Sequence, residues 1–176
     1  IAFIIISSMF WLFKNLKDNK NKSFFNFSKK NIPFLILILL MFSQIVCGAF
    51  VSGLDAGRIY QTWPFMGQSY IPNDLIINQF NDFFNFKNHS LVQFYHRNLA
   101  YVITIYILVL TINIYKNKIK NLFVPLKFLN FFLILQIIFG IFTLLSGLNI
   151  YIASAHQINS VLLVFAAINL YYFKAK

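Results

Sequence analysis

Apolar residues in this chain form long unbroken runs, and short basic blocks separate them. A helix that crosses a bilayer needs about 20 mostly apolar residues. Four runs meet that length: 32–51, 91–115, 128–147 and 151–173. A fifth run, 1–13, is too short to cross and reads as the end of a truncated helix. Strands are disfavoured, because lipid does not tolerate an open sheet edge and a barrel would alternate apolar and polar positions. The pattern predicts an all-α integral membrane protein. Its expected form is a four-transmembrane-helix bundle (32–173) plus the truncated fifth helix.

Composition agrees. Of 176 residues, 59% are hydrophobic and 11% charged, against about 25% charged in a soluble domain. So few charges cannot cover a water-facing surface, which excludes a soluble globule and a disordered tail. The net charge of +11 sits in blocks. Six lysines fall in the basic loop 14–31, four in 116–127 and two in the tail 174–176. The long loop 52–90 holds only Arg58 and Lys87, with three of the four Asp. By the positive-inside rule the lysine-rich side faces the cytoplasm, or the matrix of a mitochondrion. This placement encodes topology and argues against a nucleic-acid partner. One cysteine, Cys47, excludes an internal disulfide and a Cys-based metal cluster. The chain starts at Ile1 inside an apolar run and reads as a piece of a longer protein.

Two hairpins resemble each other. Gln44-Ile-Val-Cys-Gly48 lies in the first long run and Gln136-Ile-Ile-Phe-Gly140 in the third. Each run is followed by one with a His near its outer end, His96 and His156. Both His lie five residues inside their runs, about 7.5 Å below the outer boundary at 1.5 Å per residue. Polar groups at such depth are expensive and usually functional. Two imidazoles at one depth on different helices suit the two axial positions of a heme iron. Copper binding and a proton relay are other uses of such a pair. Gln93, His96, Ala100 and Thr104 share one face, as do Ala153, His156, Asn159 and Ser160. Arg97 follows His96 and could pair with a heme propionate. Arg58, in the outer loop, could do the same or meet an anionic head group. Gln44 and Gln136 are candidate hydrogen-bond partners for the imidazoles. The acids Asp55, Asp74 and Asp82 are the only outer-side candidates for a general base in this chain.

These residues also carry a family resemblance. Gly48-Ala-Phe-Val-Ser-Gly-Leu-Asp-Ala-Gly57, followed by Tyr60-Gln-Thr-Trp-Pro-Phe-Met-Gly67, resembles the outer loop of the heme A synthase family. Val92-Gln-Phe-Tyr-His96-Arg97 and Ala155-His156-Gln157 resemble its two C-terminal His motifs. The loop has no cysteine pair, so it is similar to the mitochondrial and alphaproteobacterial branch. The resemblance implies an eight-helix protein of two pseudo-twofold halves, of which this chain is the C-terminal one. It implies an oxidoreductase that converts a methyl group of heme O to a formyl group for cytochrome oxidase biogenesis. It implies a heme b cofactor with His96 and His156 as iron ligands, and catalytic residues in the half that precedes this chain. This chain alone is then expected to bind heme without forming heme A. Implied partners are heme O through that other half, membrane lipid, an electron donor or acceptor, heme O synthase and a second copy of the chain. The implied location is a bacterial or mitochondrial inner membrane. Two other readings stand beside it: a bis-His membrane cytochrome b that only transfers electrons, and a polytopic transporter with buried His.

Overall fold

The computed structural model describes residues 2–175. It contains five α-helices: α1 Ala2–Lys17, α2 Ile32–Gly53, α3 His89–Lys116, α4 Phe123–Leu145 and α5 Ile150–Lys174. The last four are long and apolar enough to cross a membrane. No β-strand occurs among the described residues; the one isolated bridge, Met66 with Ser69, lies in the outer loop. The protein is an integral membrane protein.

The helix ends follow local chemistry. Pro33 opens α2, where its absent N–H goes unmissed. Asn88 caps α3 by accepting from Leu91 N at 3.1 Å, and Asn149 caps α5 by accepting from Tyr151 N at 3.0 Å. The α4–α5 turn needs two left-handed residues, Gly147 at φ 67° and Leu148 at φ 64°. Two ends differ from the sequence pattern. Helix α1 continues past residue 13 to Lys17, whose charge and that of Lys14 suit a helix C-terminus. Helix α4 begins at Phe123, before the basic block ends, and takes in Pro125 and Lys127. Proline is tolerated in a first turn, and a lysine stem can lie on apolar surface with its ammonium in water.

Packing is uneven along the bundle. The buried core joins Leu37, Met41, Ile107, Leu126, Leu129, Leu163, Ile168 and Tyr171, all toward the lysine-rich end. Polar bridges support it there: Tyr106 donates to Pro33 O at 2.9 Å, and Asn130 donates to Thr111 Oγ1 at 3.1 Å. The α1 end is tied to α5 by Tyr172 Oη, which donates to Lys14 O at 3.0 Å. Trp11 Nε1 donates to Lys22 O at 3.0 Å. Toward the other end the picture changes. No residue of α2 after Met41, of α4 after Leu133, or of α5 before Asn159 is fully buried among those described. The inner half of the bundle is closed by side chains; in the outer half only α3 carries buried residues among those described, Ser90, Leu91, Val92, Gln93 and Arg97, beneath the loop.

Candidate functional site

Both intramembrane histidines lie in that outer half. His96 is seven residues into α3 and His156 six into α5, about 10 Å and about 9 Å from their helix starts. Both residues are half-buried. Each meets a glutamine of the preceding helix, through a different ring nitrogen. The side-chain amide of Gln44 on α2 stands 3.1 Å from His96 Nδ1 and donates to His96 O at 3.0 Å. The amide of Gln136 on α4 stands 3.3 Å from His156 Nε2. Four residues on, a glycine backs each ring. A Cβ on Gly48 would lie 3.2 Å from His96 Cε1, and one on Gly140 would lie 3.0 Å from His156 Cε1. At both positions a Cβ would crowd the imidazole edge, which glycine avoids.

The second cluster has an extra member. Asn159 donates to Gln136 Oε1 at 2.7 Å and to Phe132 O at 2.9 Å. Its carboxamide therefore orients Gln136 with the Nε2 end toward His156. His156 Nδ1 is buried without a partner, as is Gln44 Oε1. Ala100 and Thr104, placed on the His96 face by spacing, are tied to each other: Thr104 Oγ1 donates to Ala100 O at 2.8 Å. Ser160 donates to Gln157 O at 2.6 Å.

Arg97 points to the outer loop. Its guanidinium donates to Thr62 O at 2.8 Å, Tyr60 O at 2.8 Å and Phe65 O at 3.3 Å. Gln93, one turn earlier, donates to Tyr60 O at 2.9 Å. Arg97 is 8% exposed, and its Nε has no partner. The bonds to the three carbonyls hold the loop over the helix that carries His96. Arg58 is different. It sits on a short 3₁₀ turn, largely exposed, with Nε 3.8 Å from Asp55 Oδ1.

The three outer carboxylates all have structural partners. Asp74 accepts from Tyr60 Oη and from Ser90 Oγ at 2.6 Å. Partial burial pushes its carboxyl upward, but the hydrogen bonds from Ser90 and Tyr60 outweigh this and hold it below the usual range. The same bond to Asp74 raises the Tyr60 phenol. Asp82 accepts from the backbone N–H of Asn78 and Gln79 at 2.8 and 2.9 Å, and those bonds lower its carboxyl. Asp74 and Asp82 are thus held ionised by partners within the loop.

A model of the cytochrome oxidase assembly protein family matches residues 1–168. The chain belongs to that family. Among similar curated proteins are the heme A synthases of Pelagibacter ubique, 37% identical over 93% of this chain and 47% of its own length, and of the Wolbachia of Brugia malayi, 38% identical over 93% and 47%. The heme A synthase of the Wolbachia of Culex pipiens is 44% identical over 73% of this chain and 37% of its own length. The chain spans about half the length of the curated relatives it matches. No solved structure matches it. Family membership supports the synthase reading over the electron-transfer cytochrome and the transporter.

Sequence pattern did not reveal the contacts that hold this family member's loop. Gln93 and Arg97 reach carbonyls more than 30 residues away in the chain, and carbonyls leave no mark on a sequence. A buried-side arginine opposite a turn-rich loop was the available signal.

Proposed function

We propose that this chain carries the heme b site of a heme A synthase, where His96 and His156 would hold the iron. The pair of matching Gln–His–Gly clusters in the open outer half of the bundle carries the reading. The donor set fits the group. No cluster of three or more His, Cys, Asp or Glu occurs among the described residues, so a bare zinc ion would lack ligands. Heme brings its own four equatorial nitrogens and asks the protein for two axial ones.

Bound there, heme would supply one-electron chemistry in a low-dielectric setting. The chain's own residues supply position. Gln44 and Gln136 limit rotation of the two imidazoles, Gly48 and Gly140 let the rings lie back against α2 and α4, and Asn159 fixes the Gln136 amide. Arg97 holds the outer loop over the site through its bonds to Thr62, Phe65 and Tyr60 carbonyls; the exposed Arg58 is the cationic candidate for a propionate. For the whole protein the proposed reaction is oxidation of a heme O methyl group to formyl, serving cytochrome oxidase. Its catalytic residues would lie in sequence preceding this chain. Heme O, an electron partner and heme O synthase are its proposed partners.

A reduced-minus-oxidised absorption spectrum of the purified chain tests the site, beside His96→Ala and His156→Ala. A six-coordinate b-type spectrum, lost or weakened in both variants, is the expected result. An unchanged spectrum in either variant would remove that residue from the ligand pair. Heme A formed by this chain alone, in a host without its own synthase, would overturn the division of labour. Formation only when the preceding sequence is restored is the expected outcome.

A further inference from the structure

At the lysine-rich end, three lysines, two adjacent in the loop before α2 and one at the end of α5, converge on one groove. Lys29 and Lys30 precede α2, and Lys174 ends α5. With Phe34, Asn113 and Asn117 they line a cavity of about 210 Å³ between α2, α3 and α5. A second cavity of about 690 Å³ adjoins it, sharing Lys174 and Ile119 and adding Lys20 and Lys22. No acid opposes this charge: Asp18 is the single acid on that side. Among the described residues the ion pair found is Arg58 with Asp55, at the other end of the bundle. Lys22 is already committed, donating to Tyr172 O at 2.8 Å and to Ala175 O. Burial lowers its ammonium from the usual lysine range. Lys29, Lys30 and Lys174 have no such bond.

The segment before the groove adds a second signal. Phe25 and Phe27 are 72% and 71% exposed and stack on each other at 6.2 Å. Exposed aromatic rings beside lysines belong at a membrane–water interface, where ring and ammonium each find their preferred medium. Lysines that only set topology would project separately into water. These three instead share a groove with two carboxamide walls and an apolar floor, Phe34 and Ile114, 4% and 2% exposed. Asn117 Nδ2 is committed to Asn113 O and Oδ1, so it is the ammonium groups above an apolar floor that match a phosphodiester with its glycerol.

We propose that this groove binds the head group of an anionic phospholipid of the lysine-side leaflet, with Lys29, Lys30 and Lys174 around the phosphate. The proposal stands apart from the heme site, which lies in the other half of the bundle.

The test uses the purified chain reconstituted with phosphatidylglycerol and phosphatidylcholine in equal amounts, with retained lipid counted by native mass spectrometry. Phosphatidylglycerol should be retained preferentially. Each of Lys29→Gln, Lys30→Gln and Lys174→Gln should weaken that preference about fivefold, while Lys29→Arg and Lys30→Arg keep it. Lys17→Gln with Lys116→Gln removes charge from the same side outside the groove and should leave the preference unchanged. Equal retention of the two lipids, or equal loss in the Lys17/Lys116 control, would overturn the proposal. So would release of the bound lipid by millimolar inorganic phosphate, which would make free phosphate the ligand. The heme spectrum should be the same in all groove variants, so failure here is distinguishable from failure of the heme reading.

Discussion

Gln136 stands 3.3 Å from the Nε2 of His156, and Asn159 decides which end of its carboxamide faces the ring. Cross-helix hydrogen bonds of this kind are worth about 0.6 kcal/mol each in a membrane, rarely more than about 1.7. Gln136→Leu breaks two of them and should lower bundle stability by about 1 kcal/mol. Its more specific effect should be on the imidazole. Electron paramagnetic resonance of the oxidised, heme-loaded chain should show a broadened low-spin signal, as one ring loses its fixed plane. Gln44→Leu should do the same for His96. Loss of stability with an unaltered signal would make the glutamines packing residues only.

Gly48 and Gly140 lie against the rings rather than beside them, so a methyl group should act through space alone. An added Cβ comes within 3.0 Å of His156 Cε1 at Gly140 and 3.2 Å of His96 Cε1 at Gly48. Forcing an extra methyl into packed surroundings costs about 1–3 kcal/mol. Gly140→Ala should therefore reduce heme occupancy more than Gly48→Ala, measured as heme per chain after purification. Gly53→Ala is the control, because a Cβ there meets nothing within 4 Å.

Arg97 answers three loop carbonyls with one planar group. Lysine keeps the charge but has no fork to bridge them. Arg97→Lys and Arg97→Ala should both release the segment from Tyr60 to Phe65, seen as faster amide hydrogen exchange there, by about tenfold. Protection in the core of α4 should not change.

Asp74 sets the acid limit of the outer loop. Its folded pKa is depressed, so the stability it contributes is present above the unfolded value of about 3.9 and is lost as pH falls through the lower folded value. Proteolysis within residues 60–90 should stay slow from neutral pH down to about 4 and then accelerate. Asp74→Asn should remove that transition and leave the loop more susceptible at neutral pH. Because Asp74 is largely exposed, the change should be local, with the helices unaffected.

Much of this was open to reading from the chain as a string. The four spans follow from run length, the expected orientation from lysine placement, and the near-equal depths of His96 and His156 from residue spacing, although the helices start earlier than the apolar runs and put them about 10 and 9 Å in. These depend on the bilayer, whose thickness and charge asymmetry act on every segment independently. The repeated Gln-x3-Gly element was visible too, without its purpose. Which glutamine meets which histidine, that glycine yields its side-chain space to an imidazole edge, and that Arg97 turns to the loop were decided only by tertiary packing. So was the convergence of Lys29, Lys30 and Lys174 on one groove. Such relationships arise where helices distant in sequence come together, and their partners are backbone carbonyls, ring edges and empty volume. None of these has a letter of its own.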